Sequence, residues 1–120
     1  MSGLPLNETP ATVVNLSIGG PTECTPAWQN VIDELNELGI PFVIAAGNER
    51  TNALRSSPAN CADVITVGSN TPGGDLDSGF SNYGLKVTIA APGRNILMAC
   101  LLYTSPSPRD LSTSRMPSSA

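Results

Sequence analysis

The chain contains no histidine. That excludes, within these residues, a histidine general base, a histidine-ligated metal and an imidazole proton shuttle. Long apolar runs are also missing, and none approaches the ~20 residues of a membrane-crossing helix. Basic residues are scarce: six Lys and Arg stand against ten Asp and Glu, for a net charge of −4. Arg50, Arg55, Lys86 and Arg94 are scattered rather than clustered, which argues against nucleic acid as a partner. The first residues lack a basic segment followed by an apolar core, so no signal peptide is expected in this chain. No G-x-G-x-x-G or G-x-x-x-x-G-K-[ST] motif occurs, which disfavours a nucleotide-binding α/β domain.

What is present suffices for one globular domain. The chain has 120 residues and is 40% apolar, enough for a real core. Cys24, Cys61 and Cys100 show no C-x-x-C spacing, so zinc is not expected. On the residues alone, two readings stay open: one Cys24–Cys61 disulfide with Cys100 left over, or three reduced, buried thiols. No metal and no cofactor are expected.

The most telling stretch is Pro41-Phe42-Val43-Ile44-Ala45-Ala46-Gly47-Asn48-Glu49. A short apolar run bounded by Pro and by Gly-Asn predicts a buried strand. Such a strand delivers Gly47, Asn48 and Glu49 to the carboxyl rim of a sheet, where ligands bind in open α/β folds. Upstream, residues 12–16 predict a strand that ends in Ser17-Ile18-Gly19-Gly20. Thr25 and Pro26 predict a helix start. Trp28, Val31, Ile32, Leu35 and Leu38 form one apolar face. Gln29, Asn30, Asp33, Glu34, Asn36 and Glu37 are expected to face water, and Gly39 with Pro41 to end the helix. Strands are also predicted over 64–68 and 87–90, separated by a turn-rich segment, 69–84. Near-continuous apolar strands suit a parallel sheet covered on both faces. The expected organisation is a lead-in loop at 1–11, a domain over 12–98 and a disordered tail at 99–120. The tail is rich in Ser, Thr and Pro, with little periodicity. Of two N-glycosylation-type triplets, at Asn7 and Asn15, the second is expected to be buried in its strand.

Four segments, in order, resemble the subtilase family of serine proteases. They are Val13-Val14-Asn15-Leu16-Ser17-Ile18-Gly19-Gly20; Ile44-Ala45-Ala46-Gly47-Asn48-Glu49; Ser57-Pro58-Ala59 with Val64-Ile65-Thr66-Val67-Gly68; and Phe80-Ser81-Asn82-Tyr83-Gly84 with Ala91-Pro92-Gly93. The resemblance implies a three-layer α/β fold with a doubly wound, mostly parallel sheet, here in part. It implies that Asn48 donates to the oxyanion of a peptide-bond hydrolysis. Ser17, Ile18 and Gly19 would pair with extended substrate. Ala45, Ala46 and Gly47 would wall the pocket for the side chain before the cleaved bond. Glu49 would stand at that pocket's mouth, where a carboxylate favours Lys or Arg. Cys24 and Cys61 match a disulfide of secreted bacterial members, which implies an extracellular location. Thr88 stands where some members place an Asp cation ligand, so no cation site is expected there.

The chain departs from the family in one respect. The triad Asp and His belong upstream of Ala11, and the nucleophilic Ser belongs downstream of the Ala91-Pro92-Gly93 segment. The expected identity is an internal fragment of a secreted subtilisin-like endopeptidase, inactive alone, with peptides or proteins as substrates of the parent and no membrane partner. The tail from about Cys100 is expected to be non-native. The alternative is a non-catalytic α/β module that holds extended peptides. An uncovered sheet edge predicts marginal stability for the isolated chain.

Overall fold

The structure is a computed structural model and describes residues 5–99. Cys100 and all but the first residue of the expected tail lie outside the described residues. Residues 5–13 precede the first strand without helix or strand. Strand β1 (Val14–Leu16), helix α1 (Pro26–Glu37) and strand β2 (Phe42–Ala45) follow. A 3-10 turn at Ala53–Arg55 leads on to β3 (Ile65–Asn70) and β4 (Ile89–Pro92). The four strands are all parallel, in the spatial order β1-β2-β3-β4. The chain therefore has an α/β fold.

Helix α1 has the expected ends. Thr25 accepts a hydrogen bond from the Trp28 N–H through its hydroxyl, and Pro26 occupies the first turn. Gly39 takes a positive φ of 76°. Its N–H donates to Asn36 O, and the Ile40 N–H reaches back to Leu35 O, each at 2.9 Å. This is a Schellman closure, which glycine accepts without a Cβ clash.

The apolar face is narrower than the sequence predicts. Ile32 is buried and Trp28 and Leu35 pack on the core, but Val31 and Leu38 are 46% and 73% exposed. At 3.6 residues per turn these two sit roughly 65–90° from the centre of the stripe, beyond the edge of the sheet contact. Two side chains expected to face water do not simply do so. The Gln29 amide accepts from the Ala62 N–H at 2.9 Å. Asn36 donates to Asp63 O at 2.8 Å. The helix thus holds the loop before β3 by side chain-to-backbone bonds.

Strand boundaries shift for local reasons. β1 begins at Val14, whose N–H donates to Pro41 O. Pro41 has no N–H to return, so pairing does not extend back to Thr12. The expected strand at 87–90 starts two residues later, because the Val87 N–H closes a turn on Gly84 O. β3 runs on to Asn70, because β4 pairs with it as far as Pro92.

Register sorts the side chains into two faces. Val14, Leu16, Phe42 and Ile44 face α1 and join Ile32, Ala59, Cys61 and Val64 in the core. Cys24 and Cys61 are bonded, with Cα atoms 5.1 Å apart, tying the approach to α1 to the loop before β3. The opposite face carries Asn15, Val43, Ala45, Ile65, Val67 and Ile89. Among the described residues no helix covers it. Asn15 is exposed there rather than buried, because no layer among the described residues packs on this face.

Beyond β3, Asp77 anchors the turn-rich segment. Its carboxylate is buried and receives two bonds from the Arg94 guanidinium, at 2.7 and 2.8 Å. Arg94 also lies over the Phe80 ring, 5.3 Å from its centroid. The Arg94 hydrogen bonds hold the Asp77 carboxyl below its ordinary pKa; burial opposes this, and the Gly79 N–H adds to it.

Two outcomes follow for stability. Replacing Cys24 and Cys61 by Ser should cost about 4 kcal/mol, the chain-entropy value for closing a loop of this size. The shift of the urea midpoint measures it. A depressed folded-state pKa at Asp77 contributes stability above the ordinary carboxylate range, lost as pH falls through the folded value. Melting midpoints should therefore drop below about pH 4, and Asp77→Asn should remove that part of the acid dependence.

Candidate functional site

β1 and β2 are parallel neighbours, so their carboxyl ends emerge side by side. The segment after β1 and the segment after β2 line one cleft of about 270 Å³: Ser17, Ile18 and Gly19 on one side, Ala45, Gly47, Asn48 and Glu49 on the other. Of the residues assigned to substrate contact from the sequence, Ala46 alone does not line this cleft. It is buried at the strand end, its N–H donating to Val67 O and its carbonyl accepting from Asn82. Strand alternation turns its side chain to the core, opposite to Ala45.

Asn48 is exposed. Its backbone N–H donates to Glu49 Oε2 at 2.9 Å, and its side-chain amide has no hydrogen-bond partner among the described residues. A carboxamide left free at a cleft wall can donate to a bound group. Ser17, Ile18 and Gly19 are exposed as well, and the backbone groups of Ile18 and Gly19 make no hydrogen bonds among the described residues. An unpaired extended segment is a template for adding a strand. Gly20 and Ser57 exchange backbone hydrogen bonds at 3.0 and 2.9 Å, which fixes this rim to the loop before β3.

The loop at 46–51 is held by Asn82, which is fully buried. Asn82 Nδ2 donates to Ala46 O at 2.8 Å and to Glu49 Oε2 at 2.7 Å. Asn82 Oδ1 accepts from the N–H groups of Glu49 and Thr51, both at 3.0 Å. Its backbone N–H donates to Gly47 O at 3.0 Å. Every bonding position of the carboxamide is filled. The sequence pattern contains Asn82 within a recognised segment but gives it no role, because its partners lie more than thirty residues away. Ser56 was missed too. Its buried hydroxyl has no partner among the described residues and lies beneath both cleft glycines: a Cβ on Gly19 would come within 3.2 Å of it, and one on Gly47 within 3.0 Å.

Glu49 differs from a simple charge at a pocket mouth, since its Oε2 already accepts from the Asn48 N–H and from Asn82. Among the described residues no group of three or more His, Cys, Asp or Glu is gathered to hold a metal. The Thr88 hydroxyl instead accepts the Thr66 N–H at 3.1 Å, inside the sheet.

A parallel α/β sheet with a cleft at the carboxyl ends of adjacent strands defines a class of ligand-binding fold. Comparison with known proteins narrows the class. The sequence profile of the subtilase family, Peptidase_S8, matches residues 4–119, and the chain belongs to that family. The match runs past residue 98, where the sequence pattern places the end of the domain. The chain is 48% identical over 97 residues to the extracellular basic protease of Dichelobacter nodosus, covering 81% of this chain and 16% of that protein. It is 43% identical over 97 residues to the extracellular protease of Xanthomonas campestris, covering 81% of this chain and 17% of that one. Among solved structures, a protease from Pseudoalteromonas arctica superposes with a TM-score of 0.74 at 40% identity, over 78% of this chain and 27% of that one. A cold-adapted subtilisin-like serine proteinase gives 0.63 at 36% identity, over 70% of this chain and 30% of that one. The chain therefore spans about a sixth of the length of these two curated relatives.

Gly47 is where the loop tolerates least. Its φ is 104°, and an added Cβ would lie 2.5 Å from Glu49 Oε2 and closer still to Asn82 Nδ2. Gly47→Ala should displace the loop and lower the melting midpoint by several degrees, while Gly73→Ala, whose Cβ meets only Thr71 at 3.7 Å, should not. Parallel thermal melts of the two variants check this.

Proposed function

We propose that the chain is the central segment of a secreted subtilisin-like serine endopeptidase, carrying the oxyanion-hole asparagine and part of the substrate cleft. The observation that carries this reading is the cleft itself, with the free carboxamide of Asn48 opposite the unpaired backbone of Ile18 and Gly19. An extended peptide adding along Ser17–Gly19 would gain main-chain hydrogen bonds regardless of its sequence. Its scissile carbonyl would then lie across the cleft, within reach of Asn48. When that carbonyl turns tetrahedral, its oxygen becomes negative, and the Asn48 amide donates to the developing charge. A donor placed in advance stabilises the transition state more than the substrate.

The side chain before the cleaved bond would enter between Ala45, Gly47 and Gly19, where small residues leave room. The exposed Glu49 carboxylate beside the entrance would favour Lys or Arg. Attack on the carbonyl needs a nucleophile and its base, and this chain has no histidine to activate a serine. In the proposed parent the Asp–His–Ser triad comes from flanking sequence. On this reading residues 1–11 are a lead-in and residues 12–98 a part of the peptidase domain. Secretion accords with the Cys24–Cys61 bond and with relatives whose names describe them as extracellular. Peptides or proteins are the substrates of the parent. The unpaired backbone of Ile18 and Gly19 also suits a second reading, in which the chain binds extended peptides without cleaving them.

One experiment separates the two. In the full-length parent, Asn48→Ala should lower kcat on a fluorogenic peptide by about 10²–10³ with KM little changed, the magnitude known for the corresponding asparagine of subtilisin, a member of this family. The 120-residue chain alone should give no turnover. A parent that binds peptides but cleaves none supports the binding module and ends the protease reading.

A further inference from the structure

The hydrogen bonds around Asn48 form a relay rather than a set of separate contacts. Asn82 Nδ2 grips Glu49 Oε2 at 2.7 Å, and the same oxygen accepts the Asn48 backbone N–H at 2.9 Å. The peptide unit that carries the Asn48 side chain is therefore held by a carboxylate, and the carboxylate is held by a buried amide. The other bonds of Asn82, to Ala46 O and to the N–H groups of Glu49 and Thr51, pin the loop on both sides of Asn48. Asn48 itself has no side-chain anchor among the described residues. Its aim depends on its backbone.

We propose that Glu49 and Asn82 are positioning residues that set the direction of the Asn48 amide, with Glu49 acting through the Asn48 peptide in addition to any effect of its charge on substrate choice. The inference rests on the protease reading above. Its physical basis is that a donor preorganised for the transition state loses most of its effect when displaced by about 1 Å. Asn82 is fully buried, which fixes it against thermal motion, whereas Glu49 is exposed and can be altered without opening the core.

The two roles of Glu49 predict different kinetics. A carboxylate that only attracts basic side chains changes KM for Lys and Arg substrates and leaves others alone. A carboxylate that positions Asn48 changes kcat for every substrate. In the full-length enzyme, Glu49→Ala should lower kcat about ten- to a hundredfold on peptides with Lys, Leu or Phe before the cleaved bond alike. Glu49→Gln, whose amide oxygen can accept both hydrogen bonds, should have a kcat roughly tenfold or more above that of Glu49→Ala. In an Asn48→Ala background, Glu49→Ala should change kcat less than about twofold, since a residue that acts through Asn48 has nothing left to position. Asn82→Asp keeps both acceptor bonds but sets an oxygen against Ala46 O and Glu49, and should lower kcat in the same way. If Asn82→Asp does not fold, the Glu49 variants decide alone.

A Glu49→Ala enzyme with unchanged kcat and a raised KM only for basic substrates would overturn the proposal. So would full additivity of Glu49→Ala with Asn48→Ala. A parent without peptidase activity, or one indifferent to Asn48→Ala, removes the protease reading first and this proposal with it.

Discussion

The buried carboxamide of Asn82 is the joint on which the cleft depends. It links the segment after β3 to the loop after β2 through bonds to Ala46, Glu49 and Thr51. Leaving the buried Asn82 carboxamide or the buried Ala46 carbonyl unpaired would cost about 1–3 kcal/mol each, so the arrangement is held against its alternatives. The loop's own geometry makes the joint possible. Gly47 takes a conformation that a side chain resists, and the space a Cβ would fill is already occupied by Asn82, Glu49 and Ser56.

The remainder of the described fold places that joint. Parallel pairing of β1 with β2 brings both carboxyl ends to one rim, and α1 is the crossover that makes the pairing possible. The helix is itself fixed at three levels. Apolar packing seats Ile32 and Leu35 on Phe42 and Ile44. The disulfide ties the approach to the helix to Cys61. Gln29 and Asn36 then bond the loop that runs from Cys61 into β3. Lys86 adds a hydrogen bond to the Cys61 carbonyl from the segment before β4. The loop before β3 is thus immobilised from two sides, and through the Gly20–Ser57 exchange it immobilises the rim as well.

Legibility in the sequence followed the range of the interactions. Helix α1 was legible at both ends, because a Thr cap, a first-turn Pro and a Gly closure act within a few residues. β2 was legible because a short apolar run with breakers on both sides has few other solutions. The strand ends were read less well where a partner decided them, as at Pro41 opposite Val14 and at the Gly84 turn before β4. Gln29 and Asn36 looked solvent-facing because local periodicity carries no information about a loop some thirty residues away. Asn82, Ser56 and the Asp77–Arg94 pair were silent for the same reason. A polar residue in a Ser-Asn-Tyr-Gly segment suggests a turn until its donors and acceptors can be matched to those of a distant strand end.

The two faces of the sheet differ in a way that bears on the proposed parent. The α1 face is closed by a core of Ile32, Phe42, Ile44 and Val64. The other face presents Val43, Ala45 and Val67 half-buried, beside Ile65 and Ile89, which are 36% and 58% exposed. Parallel sheets are ordinarily covered on both sides, since water on one face leaves apolar side chains unpaid. A shallow pocket on this face is lined by Asn15, Ser17, Val43 and Ala45, and it shares Ser17 and Ala45 with the cleft. Any layer packed there would abut the cleft directly.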